Sequence, residues 1–141
     1  MATSAAARSA GFTLVECMTV CAVAAVLAAL ALPGYRSQSL RSGRIDAVAA
    51  LTQLQAAQER HRSQHGRYAQ DLATLGLGAG GQAASPQGLY ALTLELQGPD
   101  AYLATAQARG SQAEDAHCSA LTLAVASGFA SEGPTPGCWQ R

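Results

Sequence analysis

Few residues in this chain have the type and spacing to do chemistry. Glu16 is the sole charge between Arg8 and Arg36, near the start of the apolar run GFTLVECMTVCAVAAVLAALALPGY. A carboxylate at membrane depth costs at least ~2.5 kcal/mol on lenient insertion scales, so it needs a positive partner or a role. His61 and His65, in ERHRSQH, stand at i, i+4 spacing, which could hold a divalent metal if a third ligand came from elsewhere. Nothing nearby completes such a site, and a solvated pair near a helix end is the better reading. No metal and no cofactor are expected. Cys17 and Cys21 repeat the spacing inside the apolar run, where they read as small hydrophobes. Cys118 and Cys138 bracket the C-terminal end, either as a staple or as two free thiols.

No constellation supports catalysis. There is no Ser-His-Asp arrangement, no second acid beside Asp71 or Glu95, and Gly80-Gly81 lacks the Lys and strand-to-helix context of a phosphate loop. The chain reads as a non-enzyme. Nine Arg balance nine Asp plus Glu, with no Lys, so no global charge draws nucleic acid, although a local patch could. Aromatics are 5% of the 141 residues, which predicts a thin core of Leu, Val and Ala in need of staples or partners.

The elements that must position these residues begin with residues 12–32. They are apolar apart from Thr13, Glu16 and Thr19, and as a helix span roughly 30 Å, enough to cross a bilayer. Arg8 precedes the run and Arg36, Arg41 and Arg44 follow it, so flanking charge alone does not orient it. Helical patterning continues from Tyr35 to about His65, with Ile45, Val48, Leu51, Leu54 and Ala57 as the expected apolar stripe and Gly66 as the stop. Pro33 and Gly34 predict a local kink or break. Residues 68–78 read as a loop anchored by Tyr68, Leu72, Leu75 and Leu77, and 79–88 as a flexible linker. Strands are expected at 89–97, 101–109 and 119–127, an antiparallel meander packed on the long helix.

Three readings compete for the N-terminus. A secretory signal cut after Ala29–Ala31, and a plain membrane anchor, both leave Glu16 unexplained. The third uses every odd feature: GFTLVE resembles the processing site of type IV prepilins and the related type II secretion pseudopilins. The resemblance implies a leader, Met1 to Gly11, removed by prepilin peptidase between Gly11 and Phe12, with Phe12 then N-methylated. It places Glu16 at the family's acidic position for filament assembly, where it can neutralise the new amine on Phe12 of its own or a neighbouring subunit. Such a pair adds little net stability but suits setting register.

The implied architecture is an α+β type IV pilin fold, a long N-terminal helix with a transmembrane first half packed on a small antiparallel head of three to four strands. The implied divisions are leader 1–11, transmembrane and filament-core helix 12–33, amphipathic second half 34–66, and head 67–141. In pilins a disulfide commonly bounds the C-terminal region, and Cys118 and Cys138 match by position. Closing about 20 residues there would remove roughly 3 kcal/mol of unfolded-chain entropy. The ending PGCWQR resembles PilE-like minor pilins related to ComP-type DNA-uptake receptors.

The expected function is a minor pilin, stored in the inner membrane of a Gram-negative bacterium and then assembled into an extracellular pilus. Its partners would be other pilin subunits, prepilin peptidase and the inner-membrane assembly platform. Two alternatives stand beside it. A DNA-binding minor pilin would use Arg60, Arg62, Arg67, Arg109 and Arg141, provided they cluster. A type II secretion pseudopilin usually carries a calcium loop, where ASEGPTPG offers only Glu132.

Overall fold

A computed structural model of the protein describes residues 12–78 and 83–140. The expected leader, Met1 to Gly11, and Arg141 lie outside the described residues, as do positions 79–82 of the linker. The elements are α1 (Leu14–His65), β1 (Ala83–Ala84), β2 (Tyr90–Gly98), β3 (Ala101–Ala108), a 3-10 turn (Gly110–Glu114), β4 (Ala120–Ala126), β5 (Phe129–Gly133) and the short α2 (Pro136–Trp139). The chain divides into two compact units with the boundary after Ser37.

In the unit before that boundary, α1 starts at a capping box. The Thr13 hydroxyl accepts from the Glu16 backbone N–H, while the Glu16 carboxylate accepts from the Thr13 N–H and hydroxyl. Large apolar side chains from Phe12 to Leu30 are all exposed, so nothing within this unit buries them. The break expected at Pro33 and Gly34 does not interrupt the helix, which runs through both. Proline withholds one intrahelical hydrogen bond, and the bonds on either side suffice to carry the helix past it.

The unit from Gln38 is an α+β head. Its sheet has order β1-β2-β3-β4-β5, every neighbouring pair antiparallel. Five strands replace the three to four expected. β1 is two residues long and sits in the stretch read as linker, pairing with Ala91 and Leu92. β5 is a five-residue edge strand without clear alternation, closed onto β4 by a two-residue turn at Ser127-Gly128. Both turn residues have positive φ, 51° and 82°, as a type I′ hairpin requires.

The helix seam also differs from expectation. Gly43, Ala47, Ala50, Leu51, Leu54 and Gln58 are buried, whereas Ile45 is exposed and Val48 and Ala57 are half-buried. A stride of three falls short of a full turn by about 60° each step, so the expected stripe sweeps across the packed face instead of following it. The sheet answers the seam with alternating bulk. Ala106 on β3 lies between Leu92 on β2 and Leu121 on β4, and Ala104 lies between Leu94 and Leu123. This alanine floor and the alanines of α1 join one core with Tyr90, Tyr102 and Val125. Tyr68 and Leu72 are buried in it and Leu75 and Leu77 pack against it, as the loop reading anticipated.

Candidate functional site

The assembly and processing residues sit at the start of α1. Phe12 is exposed, and Gly11 lies outside the described residues. Glu16 engages Thr13 through Oε2 at 2.9 Å from the backbone N–H and 2.8 Å from the hydroxyl. One carboxylate oxygen therefore stabilises the helix start, a role the T-x-x-E spacing signals and the sequence reading did not take up. Thr19 hides its polarity by donating to the Val15 carbonyl at 2.7 Å. Cys17 and Cys21 are free and exposed.

The C-terminal end of the head is stapled. Cys118 and Cys138, 20 positions apart in sequence, form a disulfide with Cα atoms 5.6 Å apart. Trp139 packs against the core beside it and donates its indole N–H to the Gly133 carbonyl at 2.9 Å. Arg44 of α1 ties the same end down. Its Nε donates to Asp115 Oδ2 at 2.7 Å and its Nη2 to Oδ1 at 3.0 Å, a bidentate pair that raises the already high pKa of the guanidinium. Next to it the Gln112 amide donates to the Leu40 carbonyl, lying over Gly43 where a Cβ would collide with it. These partners are 71 and 72 residues apart, and no local pattern announces them.

The candidate DNA residues do not form one patch. Arg60, Arg62 and Arg67 belong to the C-terminal end of α1 and the loop after it. Arg109 follows β3, about 23 Å along that strand from the β2–β3 turn. Arg141 is outside the described residues. Arg62 is committed to a network: it donates to the Tyr68 hydroxyl at 3.0 Å and to Asp100 at 3.1 Å, and Tyr68 donates onward to Glu59 at 3.0 Å. The bond from Arg62 leads the effects that raise the guanidinium's pKa, and burial raises that of the Tyr68 phenol. His61 and His65 stack with ring centroids 4.2 Å apart. Among the described residues no group of three or more His, Cys, Asp or Glu is placed to hold a metal.

Comparison with known families adds two findings. The prokaryotic N-terminal methylation motif matches residues 6–32, the stretch that carries GFTLVE. The family described as type IV minor pilin ComP, DNA uptake sequence receptor, matches residues 33–122, most of the second half of α1 and the sheet. No curated protein matches the chain. With a methylation motif opening a long apolar helix, and a family match covering more than half of the chain, this protein belongs to the type IV minor pilins of the ComP family.

Proposed function

We propose that the chain is cut between Gly11 and Phe12, N-methylated on Phe12, and assembled as a structural filament subunit, with no catalytic activity of its own. The four divisions 1–11, 12–33, 34–66 and 67–141 are then leader, membrane and filament-core helix, amphipathic extension, and head. Prepilin peptidase, the inner-membrane assembly platform and other pilin subunits of a Gram-negative cell are its partners. Lipid covers the first half of α1 before assembly and neighbouring subunits cover it afterwards, so apolar burial is exchanged and not lost.

The observation that carries this reading is the exposed apolar run from Phe12 to Leu30, whose one charge is Glu16 at a capped helix start. Cleavage would place a positive amine on Phe12, and Glu16 is the acid within reach to neutralise it. Intact mass of the native protein tests processing: the expected result is loss of Met1 to Gly11, one added methyl, and a two-proton gain on reduction. A chain beginning at Leu32 would overturn it. Glu16→Gln should lower incorporation into filaments by about tenfold or more, since an amine left unpaired at membrane depth is costly. The head should stay folded.

A second reading, DNA contact by the head, is favoured by the description of the family matched over residues 33–122. Its candidates are Arg60, Arg62 and Arg67 at one end, with Arg109 and Arg141 as further cations. Binding of duplex DNA whose affinity falls steeply with salt is the expected outcome. The same family match favours a type IV minor pilin over a type II secretion pseudopilin.

A further inference from the structure

The DNA reading meets an electrostatic difficulty. The chain's formal net charge is zero with histidine neutral. The end of the head that gathers three of its arginines is no better supplied. Arg60, Arg62 and Arg67 are set there against Glu59 on α1, Asp71 on the following loop and Asp100 on the β2–β3 turn. Glu95 stands on the opposite face of β2 from the core-facing Leu94 by strand alternation. With three cations against three carboxylates, His61 and His65 are the described residues at this end that can add positive charge to the surface.

We propose that His61 and His65 form, with Arg60 and Arg67, a phosphate-backbone contact for DNA that strengthens as pH falls. This inference rests on the DNA reading above and assigns to that site two residues and a regulation. The geometry prepares both rings. The Nδ1 of His61 lies 3.0 Å from the Arg67 carbonyl, and the Nδ1 of His65 lies 3.1 Å from the His61 carbonyl. A carbonyl only accepts, so each Nδ1 carries the hydrogen and each Nε2 is the atom that takes a proton. Protonation at Nε2 breaks neither bond and adds a charged N–H donor.

The two rings stack at 4.2 Å with planes 19° apart, so both new charges arise on one small surface that a single phosphate or two adjacent ones could meet. Arg60, near the end of α1, and Arg67, on the loop that follows it, are both exposed, and neither is held by an ion pair among the described residues. Arg62, occupied by Tyr68 and Asp100, is the arginine of the three held by the head's own groups.

The sign follows from linkage. A bound phosphate favours the protonated imidazole, so binding strengthens as pH falls and weakens as pH rises. Carboxylates ordinarily titrate below this window and contribute little to the change.

The test uses the full chain in a non-ionic detergent and a fluorescent duplex of mixed sequence, with anisotropy read at about pH 5.5 and about pH 8 at low salt. The expected result is about tenfold tighter binding at the lower pH, with a salt slope steeper by about one to two there. His61→Gln with His65→Gln should remove the pH dependence and leave the weak alkaline affinity. His61→Arg with His65→Arg should also remove it, leaving tight binding at both pH values. His117→Gln should retain the full dependence. Far-ultraviolet circular dichroism confirms that each variant is folded. Tight but pH-independent binding by the unaltered protein, or pH dependence surviving in the Gln pair, overturns this inference and leaves the DNA reading standing. No binding at any pH or salt overturns both.

Discussion

The two halves of α1 are one continuous helix, yet they treat apolar residues in opposite ways. From Leu14 to Leu30, Val and Leu side chains are exposed, and the polar groups bond locally: Glu16 to Thr13, Thr19 to Val15. After Gln38, the buried seam is built largely from small or polar residues. Gly43 admits Gln112, Asp46 accepts from the Gln87 backbone, and Gln58 holds both the N–H and the carbonyl of Ala69, at 2.8 and 3.1 Å. On the proposed function, the first half carries its apolar surface for lipid or other subunits. The second half serves a sheet whose floor is alanine, and close approach matters more there than bulk. Large apolar side chains in a helix thus need not mark the face that packs within its own chain.

The sharpest way to break this comparison is to make one substitution in each half. Leu54→Ala removes a fully buried side chain from the head and should lower its unfolding free energy by about 2–5 kcal/mol. Leu27→Ala removes the same atoms from an exposed site and should leave head unfolding unchanged while weakening filament incorporation. Thermal or denaturant unfolding of the full chain in detergent, read beside pilus yield, checks both. Equal destabilisation by the two changes would mean that the halves are not energetically separate.

Next in size is the staple. Replacing Cys118 and Cys138 together by Ser should cost about 3 kcal/mol on the loop-closure estimate. Arg44 and Trp139 should still hold this end through Asp115 and Gly133, so the fold persists at a lower Tm. The behaviour of the first half of α1, read as detergent or membrane partitioning, should not change.

Sequence patterns revealed this molecule unevenly, for physical reasons. The N-terminal half was legible because its signals are local: a cleavage-site hexapeptide, a long apolar run and one misplaced acid. The capping role of Glu16 is equally local, since the T-x-x-E spacing places its carboxylate over the Thr13 N–H. β2, β3 and β4 were legible from alternation and the Gly98-Pro99-Asp100 turn to within about a residue at each end. β1 and β5 were not, since a two-residue bridge and an edge strand without alternation have no period to read. The Arg44–Asp115, Gln112–Leu40 and Gln58–Ala69 bonds were invisible because a polar residue on a helix looks solvated until the fold brings its partner. The stacking of His61 on His65 was foreshadowed by their spacing, but not the carbonyls that fix both tautomers.

The smallest expected effect concerns the aromatic end of the second half. Tyr102 is fully buried, packs edge-on against Tyr68 with centroids 4.8 Å apart, and has no hydrogen-bond partner for its hydroxyl among the described residues. Burial pushes its phenol well above the usual range. A phenol whose folded pKa is raised contributes stability that is intact below its unfolded value, near 10, and is lost as pH climbs above it, because the unfolded chain ionises first. The head should therefore hold its stability across neutral pH and lose it progressively above about pH 10. Tyr102→Phe removes an unsatisfied hydroxyl while keeping the ring contact, so at neutral pH it should change unfolding by within about 1 kcal/mol, in either direction. Its distinctive signature is a flatter alkaline limb. What remains of that limb would come from Tyr68, whose hydroxyl is tied to Arg62 and Glu59, and from Tyr90, whose phenol burial also raises. An unaltered alkaline limb in Tyr102→Phe would assign the sensitivity to those two residues. The buried seam and its sheet would then be held under alkaline stress by the loop after α1 and the first long strand, and not by the central strand.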